Sequence, residues 1–499
     1  MTKRISLAII TGLFSILAIN ACKHKPYVNP ADQTYGGFPD AVGKIMINRC
    51  ATAGCHNAAT RSAGLLLDSW DHLFEGGVSG AAVIAYSPEL SPLLYFINTD
   101  SALGAVATPT MPNEGVALSK EEYLAIRDWV AAGAPNREGK IPFSDNAETR
   151  QKIYLTMQGC DLLGVIDAQS MQVMRYLKVG DPAVPQNLPH CVRVSPDGKY
   201  AYVSALNSKY VQRINTTTDK IETSLRLPDN GNTSWNLLYI TPDNNELIVS
   251  NWIENGYISW VNAKDMQPLE PIPFQLKTPH GITSNATGDT LFVTAEKYNA
   301  VYKIVPPRNG ELPFLDTISI VAGQAPKFND SSGAPQPHEI VMVPDFSKYL
   351  LTCQRSNEVR VLDAFTDQVL AVIPTGTFPQ EIAISKTQPY AFITCMEDVN
   401  GVGKGCVEVI NYKTFQKVKT IRNARFSKPH GIAVDDKNGL VYVASSNIGG
   451  PNPHHPPPQS CGSQPNGTYN VYDLNTLEQV NGRSYIVSPA PYSADVRFK

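Results

Sequence analysis

The sequence predicts a multidomain protein in which a small all-α domain precedes an all-β propeller of seven blades. Three observations lead to this fold class. The 499 residues exceed what one ordinary globular core accommodates. A helical spacing of apolar residues extends over about 38–133. From about residue 150, strand-like units recur at a period of about 40 to 50 residues, which is typical of propeller blades.

The first residues have the pattern of an export signal. Two basic residues precede an apolar run from Ile5 to Ile19, which is too short for a spanning helix. The run ends in INAC, which resembles the lipobox of bacterial lipoproteins and implies that Cys22 is lipidated. We therefore expect a signal peptide over 1–21, a linker over 22–37, and an exported bacterial lipoprotein, periplasm-facing or surface-exposed at the outer membrane. A plain signal peptide with an incidental cysteine is the alternative.

Charge and cysteine content narrow the possible partners. A formal net charge of −3 with 17% charged residues provides no basic field for nucleic acid, so we expect no nucleic-acid partner and membrane contact through the lipid anchor alone. Six of the nine cysteines follow residue 150, and an oxidising compartment would allow them to form disulfides. A bridge between Cys395 and Cys406, across a glycine-rich hairpin loop, is the one pairing that the sequence suggests.

A motif for covalent haem attachment follows the first helical stretch. Cys50 and Cys55 are separated by four residues, and His56 follows at once. Two thiols can add to the haem vinyl groups while the adjacent imidazole binds the iron. The usual spacing has two intervening residues, so this variant is less diagnostic. A disulfide loop beside a surface histidine is the alternative.

A second element supports the haem interpretation. Met111 precedes a proline in a loop, and a helix with a Ser119–Glu122 capping box and a terminal Gly133 comes next. This order resembles the class I cytochrome c domain over about 38–140. The resemblance implies one covalent haem c held by the two thiols, with His56 and Met111 as axial ligands. An iron with both axial positions filled relays electrons and has no open site for substrate. A methionine without a ligand role is the alternative for Met111.

The repeated units close into a ring by complementary ends. A unit such as LPHCVRVSPDGKYAYVS has a leading strand, an Asp-Gly turn and a second strand, and two further strands follow. The first unit lacks its leading strand, whereas the C-terminal residues supply one strand with nothing after it. Pairing them completes a seventh blade and removes a free sheet edge. The units resemble the YVTN-type propeller repeat, which implies a propeller over 150–499.

Four histidines share one position in these units, directly after the leading proline. In the other units this position holds Asn236, Gln380 and Tyr492. Because the innermost strands surround the propeller axis, we expect the shared position to form a ring at one mouth of the channel. An insertion in the seventh unit supplies two more imidazoles near this mouth. The predicted site comprises His190, His280, His338, His430, His454 and His455.

Clustered imidazoles suit copper or another transition metal. The arrangement is similar to that of nitrous-oxide reductase, although that enzyme has more histidines and a C-terminal copper domain. A haem domain before a propeller is also similar to cytochrome cd1 nitrite reductase, whose propeller has eight blades. The alternative is that each imidazole packs against neighbouring backbone and binds no metal.

Three functions remain open from the sequence. The first is electron transfer between the haem and a redox partner protein, or a metal or small-molecule substrate site in the propeller; catalysis would make the protein an oxidoreductase. The second is electron transfer in which the propeller is only a docking scaffold. The third is a lactonase-like hydrolase, since related propellers include such enzymes, but no nucleophile and base occur at a telling spacing.

Overall fold

The computed structural model describes residues 35–228, 234–307, 311–329, 331–399, 404–446 and 466–498. The predicted signal peptide, Cys22, His454 and His455 lie outside the described residues. Within the described part of the chain, no helix is long and apolar enough to cross a bilayer.

The N-terminal module is helical. Its α-helices are α1 (Asp40–Ile45), α2 (Trp70–Leu73), α3 (Pro92–Ile97) and α4 (Lys120–Ala131). Helix α1 continues directly into one π-helical turn, Met46–Cys50, and short 3₁₀ segments span Tyr35–Gly37, Ser62–Gly64, Pro88–Leu90 and Ser101–Leu103. One apolar face of α1 and one of α4 meet in a shared core, where Phe38 and Trp129 pack edge to face at 6.0 Å.

Helix α4 begins and ends as its sequence predicts. The Ser119 hydroxyl accepts the N–H of Glu122, and the Glu122 carboxylate accepts the N–H of Ser119, which completes the capping box. Gly133 follows the helix with a φ of +99°, a left-handed conformation that favours glycine. These local features determine where α4 begins and where it ends.

The rest of the chain forms seven four-stranded antiparallel sheets, which confirms the predicted propeller. Blades 1 and 2 comprise β1 (Lys152–Met157), β2 (Leu162–Asp167), β3 (Gln172–Lys178), β4 (Pro189–Val194), β5 (Tyr200–Ala205), β6 (Tyr210–Asn215) and β7 (Lys220–Arg226). Blades 3 and 4 comprise β8 (Trp235–Ile240), β9 (Glu246–Asn251), β10 (Ile258–Asn262), β11 (Gln267–Pro268), β12 (Pro279–Ser284), β13 (Leu291–Ala295), β14 (Ala300–Val305) and β15 (Phe314–Ser319).

The remaining blades follow the same order from the axis outward. Blades 5 and 6 comprise β16 (Pro337–Met342), β17 (Lys348–Cys353), β18 (Glu358–Asp363), β19 (Val369–Pro374), β20 (Thr377–Ile384), β21 (Tyr390–Glu397), β22 (Cys406–Asn411) and β23 (Gln416–Arg422). Blade 7 and the closing strand comprise β24 (Pro429–Asp435), β25 (Leu440–Ser445), β26 (Gly467–Asp473), β27 (Gln479–Val487) and β28 (Pro491–Val496).

The C-terminal strand closes the ring. Strand β28 pairs antiparallel with β1, with Ile153 opposite Val496 and Tyr154 opposite Asp495, so blade 1 has the strand order β28-β1-β2-β3. The predicted closure is therefore confirmed. It stabilises the whole ring, because the first blade obtains its inner strand only when the end of the chain has returned to it.

Buried hydroxyl groups join neighbouring blades at the axis. In five blades, a Ser or Thr near the end of the second strand donates to the backbone carbonyl of the axial residue in the next blade. The five donors are Ser204, Ser250, Thr294, Thr352 and Thr394. These bonds satisfy carbonyls that the local strand pairing leaves open, and they hold the inner strands at a fixed spacing.

The helical module packs against blades 1 and 7. Ile84 is buried in the same apolar cluster as residues of those blades. The N–H of Ile486 in β27 donates to the carbonyl of Ser79 at 2.9 Å, and the side-chain amide of Gln172 in β3 donates to the carbonyl of Glu75 at 3.1 Å. The module therefore contacts the side of the propeller formed by the first and last blades.

The predicted bridge between Cys395 and Cys406 is wrong. The two residues lie directly opposite each other on β21 and β22, yet both are free thiols. Burial and the adjacent Cys406 raise the pKa of Cys395 well above its usual value, which keeps the sulfur protonated. Cys191 and Cys353 are also buried free thiols, whereas Cys160 is disulfide-bonded.

Candidate functional site

The two cysteines of the attachment motif lie on a compact turn. Cys50 ends the π-helical turn, and the N–H of His56 donates to its carbonyl at 3.2 Å. Both Cys50 and Cys55 are half-buried free thiols. Burial raises the pKa of Cys50 to about 11, and this effect exceeds the opposing influence of the Arg49 charge. The Cys50 thiol is therefore protonated, and its side chain packs against the apolar core of the module.

The orientation of His56 is set by a backbone contact. Its Nδ1 lies 3.2 Å from the carbonyl oxygen of Ser62, a contact that favours the tautomer with its hydrogen on Nδ1. Nε2 then carries the lone pair that binds a metal. Histidine ligands in proteins commonly donate their other ring N–H in this way, which fixes the plane of the ring.

Met111 lies on the same core as the attachment turn. Its backbone N–H donates to the carbonyl of Phe96 at 2.7 Å, and its side chain packs against the apolar cluster that Cys50 also contacts. Arg49 links the turn to the segment after the methionine. Its guanidinium donates to both carboxylate oxygens of Glu122, at 2.9 and 3.1 Å, and to the carbonyl of Val116 at 2.6 Å.

Residues 53–114 match the Planctomycete cytochrome C family. The N-terminal module is a cytochrome c domain. The matched segment of this cytochrome c domain includes Cys55, His56 and Met111, whereas Cys50 precedes it. Comparison with curated proteins gave no match.

Comparison with solved structures gave matches of low identity. Hydrazine synthase of Kuenenia stuttgartiensis is 18% identical, with a TM-score of 0.44 over 60% of this chain and 79% of that chain. A functionally unknown protein from Desulfotomaculum acetoxidans is 13% identical, with a TM-score of 0.47 over 68% of this chain and 99% of that chain. The dihydro-haem d1 dehydrogenase NirN is 12% identical, with a TM-score of 0.45 over 91% of this chain and 98% of that chain.

The donor set of the cytochrome c domain fits a covalently attached haem. Two reduced thiols, an imidazole oriented through Nδ1 and a thioether on the same core are the groups that such a cofactor requires. Cys50 and Cys55 would attach it, and His56 and Met111 would bind its iron. Haem supplies reversible one-electron chemistry, while this chain orients the imidazole and excludes water from the core side.

The propeller axis is the second place where the predicted site residues meet. The structure brings the seven equivalent side chains together, one from each blade, and all are buried: His190, Asn236, His280, His338, Gln380, His430 and Tyr492. They lie where the inner strands begin, and in six blades the residue before this strand's leading proline has a positive φ. The repeated left-handed turn directs each chain segment into the axis.

At the position where the sequence predicts a ring of side chains, these residues form a packed and buried layer around the axis. His280 and His338 have ring centroids 4.1 Å apart, and His430 stacks on Tyr492 at 3.6 Å. His190 lies 4.5 Å from Tyr492. Glycine permits this approach, because a Cβ at Gly281 would lie only 2.5 Å from the carbonyl oxygen of His338. These ring contacts join neighbouring blades around the axis, and all of the side chains are buried there.

Two of the axial imidazoles contact backbone carbonyls. His280 Nδ1 lies 3.2 Å from the oxygen of His338, and His430 Nδ1 lies 2.8 Å from the oxygen of Tyr492. Such contacts are expected of packing histidines, and they are equally typical of histidines whose Nε2 binds a metal. His190 Nδ1 instead lies 3.1 Å from the side-chain nitrogen of Gln158.

Two further axial residues were not predicted from the sequence. Trp252 directly follows Asn251, the partner of Trp235 in blade 3, and lies beside His280. Glu296 directly follows Ala295, the partner of Pro279 in blade 4, and lies beside His280 and His338. Trp252 Nε1 donates to Glu296 Oε2. Burial raises the pKa of Glu296 to about 7, although the Trp252 hydrogen bond opposes the shift. Aligning the repeats on their second strand would have revealed this set.

The other end of the channel has different chemistry. A cavity of about 460 Å³ lies between the later residues of the inner strands, with aliphatic walls and a charged group that includes Arg193, Glu339 and Glu381. Arg193 lies 3.4 Å from Glu339. Burial raises the pKa of Glu381 to about 8, because Arg193 compensates only part of the desolvation and Glu339 repels the second charge.

Proposed function

We propose that this protein is an exported, lipid-anchored c-type cytochrome that relays electrons between a redox partner and a site on the axis of its own propeller. The observation that carries the proposal is the attachment turn, in which two free thiols precede an imidazole that contacts the Ser62 carbonyl. With His56 and Met111 both on the iron, the haem exchanges electrons without binding substrate.

The contact between domains supports transfer within the molecule. The cytochrome c domain is packed on blades 1 and 7 through Ile84 and direct backbone hydrogen bonds. Blade 7 and the closing strand contribute His430 and Tyr492 to the axial layer. Because both domains are parts of one chain in direct contact, transfer between them does not require diffusional encounter.

A pyridine haemochrome spectrum of the purified full-length protein tests the haem. We expect one covalent haem per chain, lost in the double variant Cys50→Ala, Cys55→Ala. Cys353→Ala is the matched control, because this cysteine is also a free thiol but lies in the propeller. A covalent haem band that persists in the double variant would refute the attachment, as would its absence from the wild type.

The membrane anchor and the role of the propeller need separate measurements. Cys22→Ser should move the protein from the membrane fraction to the soluble fraction, and unchanged membrane retention would exclude the lipid anchor. We expect substitution of the four axial histidines to change the rate at which the reduced haem is reoxidised. These residues are His190, His280, His338 and His430. If electron exchange with an external partner is the sole activity and is unaffected, the propeller is instead a docking scaffold.

A further inference from the structure

Three buried ligand groups converge beside the histidine layer. One nitrogen of His280, one nitrogen of His338 and one carboxylate oxygen of Glu296 all lie within 4.8 Å of one another. Each side chain is more than nine-tenths buried. The three come from two adjacent blades: His280 is the second residue of β12, Glu296 directly follows β13, and His338 is the second residue of β16.

We propose that His280, Glu296 and His338 bind one divalent first-row transition-metal ion. This inference rests on the proposed function, because it gives the axial site to which electrons would be relayed a chemical identity. It differs from the metal site expected from the sequence in its ligands. Glu296 joins the site, whereas His190 and His430 belong to the surrounding layer.

The spacing of the donors suits one ion. Two ligands of a common ion lie at most about 4.2 Å apart, twice a bond of about 2.1 Å. Donors within 4.8 Å therefore reach this geometry through small side-chain rotations. Two imidazoles and one carboxylate, with further positions open, form the donor set of non-haem iron sites and of catalytic zinc sites.

The surroundings orient two of the three ligands. The contact between His280 Nδ1 and the His338 carbonyl leaves Nε2 with the lone pair. The Trp252 indole donates to Glu296 Oε2 and leaves Oε1 to bind the ion. A hydrogen-bonded outer shell of this kind fixes ligand orientation and strengthens binding. The imidazoles and the carboxylate would together leave a net charge of +1 on a divalent ion in this buried site.

Metal analysis of the full-length holoprotein tests the inference. After incubation with Fe²⁺, Zn²⁺ or Cu²⁺ and removal of loose metal, we expect one equivalent of non-haem metal in the wild type. Glu296→Gln should lower the affinity by more than the roughly 10- to 100-fold that loss of an outer-shell group costs. Glu381→Gln is the matched control, since it removes another buried carboxylate of the axis and should leave metal binding unchanged.

Two further measurements keep the result independent of folding defects. Trp252→Phe retains all three ligands and should weaken binding by roughly 10- to 100-fold. Anomalous diffraction from wild-type crystals should place the ion within about 2.3 Å of all three donors. Bound iron or copper would support a redox-active site. Bound zinc would support the metal site but would exclude electron transfer to it, because zinc has no redox chemistry.

The inference is overturned if the wild type binds none of the three metals, if folded Glu296→Gln binds them as tightly as the wild type, or if the anomalous peak lies elsewhere. Failure of the haem proposal is distinguishable, because it changes the haemochrome spectrum and leaves the non-haem metal content unaffected.

Discussion

The hydroxyl bonds between blades should carry a measurable part of the stability of the propeller. Thr352 is fully buried, and its hydroxyl makes two bonds: it accepts the N–H of Glu339 at 3.0 Å and donates to the carbonyl of Gln380 at 2.8 Å. The substitution Thr352→Val preserves the shape and β-branching of the side chain. It removes the partner of one buried donor and one buried acceptor.

The expected cost follows from those two groups. Each buried polar group left without a partner costs about 1–3 kcal/mol, so the loss of two partners should lower the free energy of unfolding of Thr352→Val by about 2–6 kcal/mol. Urea denaturation of the full-length protein, followed by far-ultraviolet circular dichroism, measures this as a lower midpoint at unchanged slope. Thr317→Val, on the outer strand β15, is the control and should change stability by less than about 0.5 kcal/mol. A loss of less than about 0.5 kcal/mol for Thr352→Val would refute the reasoning.

Three other predictions follow from buried or ligand side chains. Lys152→Met should lower the free energy of unfolding by about 3–5 kcal/mol, because the buried Asp219 carboxylate would lose the ammonium group that lies 2.8 Å from it. The midpoint of urea denaturation measures this loss. The additional substitution Asp219→Leu should restore part of the lost stability. Met111→His should retain covalent haem but lower its reduction potential in a spectroelectrochemical titration, because a thioether favours ferrous iron; an unchanged potential would show that Met111 is not a ligand. Burial raises the pKa of Glu381 from 4.5 to about 8, so between about pH 5 and 8 this carboxyl ionises in the unfolded chain but not in the folded protein. The free energy of unfolding of the wild type should therefore fall as pH rises through this range, and Glu381→Gln should lack this contribution to the pH dependence. Urea midpoints of the two proteins that change in parallel with pH would contradict the prediction.

Much of the architecture was predictable because the propeller is a repeat. Alternating apolar residues, turn residues and complementary ends determine seven blades and the return of β28 to blade 1 without knowledge of any long-range contact. The cap of α4 was predictable for a different reason. Ser119, Glu122 and Gly133 act within a few residues of one another, so their chemistry is visible in the sequence.

Features that depend on register between strands were not predictable in the same way. Glu296 joins the axial layer because the residue before it on β13 pairs with the leading Pro279 of β12, which places its side chain beside His280. Likewise, Cys395 and Cys406 flank the same loop in sequence and face each other in the sheet, but proximity of two buried thiols does not by itself form a bond.

The sequence by itself determined the attachment motif, the caps of α4, the seven-fold repeat and the shared position of the axial histidines. Each of these features depends on residue type at a short or periodic spacing. Only the tertiary structure decided that the histidines form a buried, packed layer, that Glu296 and Trp252 lie beside it, and that the cytochrome c domain contacts blades 1 and 7. These features depend on contacts between side chains from distant segments of the chain. Such contacts form only when the ring is closed and its interior is densely packed.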